Sequence, residues 1–144
     1  AKGILLVLGG SDANVASTLN TILYTIGNAL AGVPSFIGAL FMYLFQSCFN
    51  LIVTSNSGQA ALTMPIMAPL ADLVGVTRQV AVLAFQMGAG FVDAFTPVSA
   101  SLIGVLGVAR IDWGKWAKFQ IKMQAFFFLM GTVAIAIAIA VNLQ

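Results

Sequence analysis

Apolar residues run along this chain in long blocks, cut by short clusters of small polar residues. Residues 35–53 are almost continuously apolar, and the run then meets Thr54 and the tetrapeptide Ser55-Asn56-Ser57-Gly58. Shorter apolar segments follow at 59–74, 79–92 and 98–109, and the last block, 116–143, is much longer. A helix rises ~1.5 Å per residue, so about 20 apolar residues are needed to cross a hydrocarbon core of about 30 Å. The last block reaches that length. Its AIAIAIA run alternates like a strand but follows FFFLMGTV without a turn signal, so length decides for a helix. Ala134 and Ala138 give that helix a small face for a neighbour. The other four blocks are half-length segments paired around two breaks.

Upstream, residues 13–31 place Val15, Leu19, Ile22, Leu23, Ile26 and Leu30 at helical spacing. Asn14, Ser17, Thr18, Thr21, Thr25 and Asn28 fall largely on the other side. This predicts an amphipathic helix, lying in a membrane interface or packed with its polar face inside the protein. Gly32-Val33-Pro34-Ser35 breaks it, and Pro34 suits the first turn of the next helix.

Breaks inside apolar sequence carry a physical cost. An unsatisfied backbone group in lipid costs several kcal/mol, so irregular backbone survives there only when buried in protein or lining a watery cavity. Each break is therefore a candidate site. A broken helix leaves free carbonyls at one end, which suit a small cation, and free N–H groups at the other, which suit an anion. At the first break Ser55, Asn56 and Ser57 add neutral oxygens, and Gly58 permits backbone geometry that other residues resist. Gln46, Asn50 and Thr54 form a stripe at i, i+4, i+8 running toward it, and Gln59 and Thr63 continue the polarity beyond. Interhelical hydrogen bonding without a ligand accounts for the same stripe.

The second break runs from Gly88-Ala89-Gly90 through Asp93 to Thr96-Pro97-Val98-Ser99. An intramembrane Asp is costly and marks a functional site by default, unless it sits in water at a loop edge. The tetrapeptides GVTR (75–78) and GVAR (107–110) echo one another faintly across the two pairs. Paired interrupted helices with converging polar groups mark the site of a secondary transporter near the membrane midplane.

Composition agrees. Of the 144 residues 60% are hydrophobic and 7% are charged, against about 25% charged in a soluble domain, so the chain belongs in a bilayer. The net charge of +2 makes no case for nucleic acid. Arg110, Lys115, Lys118 and Lys122 cluster beside Asp112, which reads as a cytoplasmic flank. There is no histidine and no glutamate, which removes most metal sites and acid–base pairs and argues against an enzyme. Cys48 lies in an apolar run and reads as packing. The chain opens on Ala1, and GILLVLGG is too short to span; it reads as the tail of a longer helix in a larger protein.

The run SNSGQAALTMPIMAPLADLVGVTRQVAVLAFQMGAGF (55–91), continuing to GVLGVARIDWGKWAKF, resembles the anaerobic C4-dicarboxylate carrier family of the ion transporter superfamily. The branch it resembles is the one labelled basic amino-acid antiporter, in its C-terminal half. The resemblance implies two inverted repeats, each with a helical hairpin and a broken transmembrane helix, in a dimer that works by an elevator motion. It makes residues 35–74 a re-entrant hairpin entering from outside with Ser55–Gly58 at its tip. Residues 79–109 become the broken helix crossing inward, and 116–143 the final helix crossing outward. Ser55, Asn56, Ser57 and Gly58 would form one side of the site, and Thr96, Pro97 and Ser99 the other. Where the family tends to show Gly-Asp-Gly followed shortly by Asn, this chain has Gly88-Ala89-Gly90 and then Asp93. Where it tends to read Pro-Thr-Ser-Gly, this chain has Pro97-Val98-Ser99-Ala100.

The expectation is an all-α integral membrane protein with residues 1–144 as one membrane domain, half of an inverted-repeat secondary transporter. It would be multi-pass in a bacterial inner membrane, with the basic 110–122 segment cytoplasmic. The cargo would be a small carboxylate, dicarboxylate or amino acid, held by Ser55, Asn56, Ser57, Gly58, Asn50, Gly88, Gly90, Asp93, Thr96, Pro97 and Ser99. No cofactor is expected beyond Na⁺ or H⁺ as coupling ion, with Ser55, Asn56, Ser57, Gly58 and Thr96 as Na⁺ ligands. The expected partners are the lipid bilayer, the missing half of the transporter and a second copy of the complete protein, and no nucleic acid. A membrane assembly subunit with no transport site of its own is the rival.

Overall fold

The computed structural model describes residues 32–143, together with Tyr24, Thr25 and Asn28. Apart from those three, the helix expected over 13–31 lies outside the described residues, as does the apolar run after Ala1. Five helices follow: α1 Ser35–Asn50, α2 Asn56–Leu73, α3 Arg78–Asp93, α4 Ala100–Ala109 and α5 Trp113–Ala140. No strand occurs among the described residues, so the alternating AIAIAIA run is helical.

Local chemistry sets the boundaries. The Pro34 carbonyl accepts from the N–H groups of Ile37 at 2.8 Å and Gly38 at 3.2 Å, starting α1. Ser55 caps α2 through a 3.3 Å bond from Gly58 N, and Thr77 caps α3 through Val80 N at 3.4 Å. Asp112 Oδ1 accepts from Gly114 N at 2.9 Å, which starts α5 at Trp113, ahead of the position 116 set by apolarity alone.

At the end of α2, Gly75 takes φ +69°, and Val76 N reaches back to Ala71 O at 2.9 Å, the Schellman closure that a glycine favours. At the end of α4 the left-handed residue is Arg110, at φ 54°, while Gly107 remains helical. GVTR and GVAR thus close their helices at different residues, and the echo between them is not structural. Within α2, Pro65 and Pro69 lack N–H groups, so the carbonyls of Ala61 and Pro65 lose their usual donors.

α1 and α2 lie antiparallel, since Gln46 meets Thr63 while Asn50 meets Gln59 and Asn56. α3 is the central element and packs on α1, α2 and α5. The core joins Met42 and Tyr43 of α1, Leu70 and Ala71 of α2, Val80 and Ala84 of α3, and Ile135 of α5. Tyr43 stacks on Phe128 at 4.9 Å and Phe91 on Phe127 at 5.1 Å, fixing α5 against the pair.

Gly88 sits inside α3, and a Cβ there would meet Gln46 Cβ and Ser47 N at 3.1 Å. Gly90 is helical too, with open space around it. The glycines expected to break the chain therefore do not; the break is 94–99, and Gly88 serves a close crossing of α1 and α3. α4 stands nearly free, with Leu106 its one buried residue and Val108 89% exposed.

α5 is the helix, among those described, that is long and apolar enough to cross a membrane. Its Phe126, Leu129, Val133 and Ile137 recur at helical spacing and stay exposed, a face made for lipid. At the opposite end from its charges, Thr77 Oγ1 donates to the Leu143 carbonyl at 2.6 Å, tying the start of α3 to the end of α5. Nearby, Arg78 Nη2 reaches Asp72 Oδ2 at 2.7 Å across the α2–α3 turn. The guanidinium holds the Asp72 carboxyl below the usual carboxylate range. The pair is exposed and adds little to stability.

Gly131 offers a test of the packing. A Cβ there would lie 2.8 Å from Tyr43 Cζ and closer still to its hydroxyl. Gly131→Ala should destabilise the protein by about 1–3 kcal/mol in detergent unfolding measurements. Tyr43→Phe, which removes the hydroxyl, should recover part of that loss in the double variant.

Candidate functional site

The polar stripe of the hairpin becomes one connected chain of side chains. Gln46 Nε2 donates to Thr63 Oγ1 at 3.0 Å, and Gln59 Nε2 donates to Gln46 Oε1 at 2.8 Å. Asn50 Nδ2 then donates to Gln59 Oε1 at 3.0 Å and to Asn56 Oδ1 at 3.3 Å. Asn56 Nδ2 in turn donates to Asp93 Oδ2 at 2.9 Å. Gln46, Asn50 and Gln59 are fully buried and Thr63 nearly so. The chain therefore runs from the interior of the α1–α2 pair out to the end of α3, and its last link joins the two breaks. Gln46, Gln59 and Thr63 belong to the network, although the sequence marks them only as polarity around a break. Thr54 sits in the turn and takes no part.

The turn between α1 and α2 spans Leu51–Ser55, so the polar tetrapeptide is not a loop tip. Ser55 is the N-cap and Asn56, Ser57 and Gly58 are the first helical turn. Ser55, Asn56 and Ser57 are exposed, and Ser55 Oγ lies 3.4 Å from Ser57 Oγ. This is the amide end of a helix beside exposed hydroxyls, the arrangement that accepts an anion.

The carbonyl end of the second break is differently used. Trp116 Nε1 donates to Ala94 O at 3.0 Å and Trp113 Nε1 to Phe95 O at 3.1 Å. A broken helix leaves its last carbonyls free, the end that suits a cation; here two of them are taken by indole N–H groups. The same bonds bring the start of α5 beside the break. α4 is the segment between the break and that contact.

Acceptors without donors lie elsewhere. Asn50 Oδ1, Asp93 Oδ1 and Thr96 Oγ1 are buried and have no hydrogen-bond partner among the described residues. Asn50 is 0% and Thr96 1% exposed, so water does not satisfy them from bulk. Ser99 is buried, with its hydroxyl 3.0 Å from Ser101 Oγ, and Pro97 is exposed. Among the described residues no hydrogen bond joins Thr96, Pro97 or Ser99 to the α1–α2 pair. Gly90, Asp93, Ala94, Ser101, Leu102, Val105 and Trp116 line an open cleft of about 460 Å³ between α3, α4 and α5. The described residues hold no group of three or more His, Cys, Asp or Glu that could bind a metal ion.

A family model described as "C4-dicarboxylate anaerobic carrier" matches residues 1–140. The chain belongs to that family. It is 54% identical over 135 residues to a protein of Escherichia coli (strain K12) named "Putative basic amino acid antiporter YfcC", covering 94% of this chain and 27% of that protein. It is 34% identical over 143 residues to an uncharacterized protein of Haemophilus influenzae, covering 97% of this chain and 26% of the other. The chain thus spans about a quarter of the length of these relatives, a smaller share than the half implied by the resemblance. No solved structure matches. The matching family is described as one of carriers, and the Escherichia coli relative is named as an antiporter.

Two variants separate support from contact. Asn50→Ala removes the donor to Gln59 and Asn56 and should cost about 1–3 kcal/mol of stability. Asn56→Ala, at an exposed helix start, should cost less than half of that, while uncoupling Asp93 from the hairpin. Chemical unfolding of both in the same detergent compares them directly.

Proposed function

We propose that this chain carries one face of the substrate site of a secondary active transporter, between the start of α2 and the break after α3. The observation that carries the reading is the Asn56–Asp93 hydrogen bond, which brings the two interruptions together at 2.9 Å. In that reading α1 and α2 form a re-entrant hairpin, α3 and α4 the interrupted helix, and α5 the final crossing with its basic end in the cytoplasm. A second repeat elsewhere in the transporter, inverted with respect to this one, would supply the facing wall.

A carboxylate on the substrate would be received by the amide end of α2, where Asn56, Ser57 and the Ser55 hydroxyl stand exposed. Asn50 Oδ1 and Thr96 Oγ1 supply acceptors for a coupling Na⁺, together with Ser55, Asn56, Ser57 and Gly58 on the hairpin. Asp93 also bears on the choice of substrate. Among the described residues Asp72 pairs with Arg78 and Asp112 caps α5, whereas Asp93 has no ion-pair partner. Two like charges about 4 Å apart repel by about 4 kcal/mol at an effective dielectric of 20. An unneutralised Asp93 therefore disfavours a dianion and favours cargo carrying an ammonium or guanidinium group beside its carboxylate. A basic amino acid has that chemistry, and the name of the Escherichia coli relative points the same way.

Thermal-shift titration of the full transporter in detergent tests this, with arginine, lysine and C4-dicarboxylates, in Na⁺ and in K⁺. A cationic amino acid at 100 times its dissociation constant should add about 2.7 kcal/mol of stability, and Asn56→Ala should abolish the shift. Shifts with dicarboxylates alone would overturn the role given to Asp93. A folded transporter that responds to none of these ligands would favour an assembly subunit.

A further inference from the structure

α5 carries Lys115, Lys118 and Lys122 at i, i+3 and i+7, and all three are exposed. That spacing places them along one side of the helix over about two turns. Their position works against the helix itself. Lys115 is the third residue of α5 and Lys118 the sixth, at the end where the backbone dipole is positive and cations are disfavoured. No acidic residue lies in the first turn, and the Asp112 side chain is engaged in capping. Among the described residues the ion pair is Arg78–Asp72, so none of these lysines has an internal counter-charge.

Aromatic residues interleave with the lysines. Trp116 packs on Phe119 with ring centres 5.8 Å apart, and Phe119 is 63% exposed between Lys118 and Lys122. Beyond Lys122 the sequence has no charged residue through Gln144, and the exposed side chains Phe126, Leu129, Val133 and Ile137 are all apolar. The apolar stretch is about the length of a hydrocarbon core, which puts Lys122 at its edge and Lys115 about 10 Å farther out, the depth of the headgroups. Orientation alone asks only for positive charge in a loop; here the charges are set along the spanning helix, within an aromatic girdle.

We propose that Lys115, Lys118 and Lys122 form a binding face for the phosphate headgroups of anionic phospholipids. The ammonium groups meet the phosphates, Phe119 lies at the level of the glycerol backbone, and the acyl chains run down the exposed apolar face of α5. Each lysine near an anionic surface contributes about a fivefold preference at low ionic strength. The contact also anchors the segment whose Trp113 and Trp116 hold the break after α3, so the lipid side of α5 and the break share one turn of helix. The proposal does not depend on the cargo assigned above.

The test uses the full transporter reconstituted with trace spin-labelled phosphatidylglycerol or phosphatidylcholine, reading the motionally restricted fraction by electron paramagnetic resonance. With label in both leaflets the result does not depend on insertion orientation. Phosphatidylglycerol should associate several-fold more strongly, and the preference should fall toward unity in about 0.5 M NaCl. K115Q/K118Q/K122Q should lose most of the preference and K115R/K118R/K122R should keep it. Equal association of the two lipids in the unmodified protein, or a preference untouched by the glutamine substitutions, overturns the proposal. Sodium phosphate should be no more effective than NaCl at matched ionic strength. Selective erosion by phosphate would assign the lysines to a free anion instead.

Discussion

A buried line of amides holds this structure in register. Gln46, Gln59 and Asn50 are each fully enclosed, and each needs the next to satisfy its donors and acceptors. In an apolar interior an amide without a partner costs as much as a lost core contact, so the α1–α2 pair cannot slide by a turn without stranding several such groups. Register is thus imposed by hydrogen bonds. The apolar core alone, built mainly of alanines, valines and methionines, would accept several alignments. Because the line ends on Asn56 and Asp93, the alignment of the hairpin also fixes where the two breaks meet.

How much of this can be read from the sequence depends on the range of the interaction. Helices follow from local signals such as Pro34 and the length of the last apolar block. The stripe of Gln46 and Asn50 with Gln59 and Thr63 is visible as periodicity. The bond between Asn56 and Asp93 spans 37 positions, and no local pattern encodes it. The indole bonds of Trp113 and Trp116 are hidden for the same reason.

Glycine is the instructive misreading. Gly88 and Gly90 suggest an interruption because glycine weakens helices in isolation. Helix α3 continues through both because its neighbours pack, and at Gly88 the missing side chain is what lets α1 approach. A similar logic operates at Gly131, where the missing side chain makes room for Tyr43. Small residues in this protein mark where backbones come close more often than where they bend. The interruption that does occur, at 94–99, carries one acid immediately before it and one fully buried threonine within it.

The two tryptophans of these 144 residues have their indole N–H groups on neighbouring carbonyls of a single interruption. Indole emission responds to the loss of such a bond and to the arrival of water. The chain therefore contains its own optical gauge of that interruption: a change in shape there alters its ultraviolet fluorescence, with no label attached.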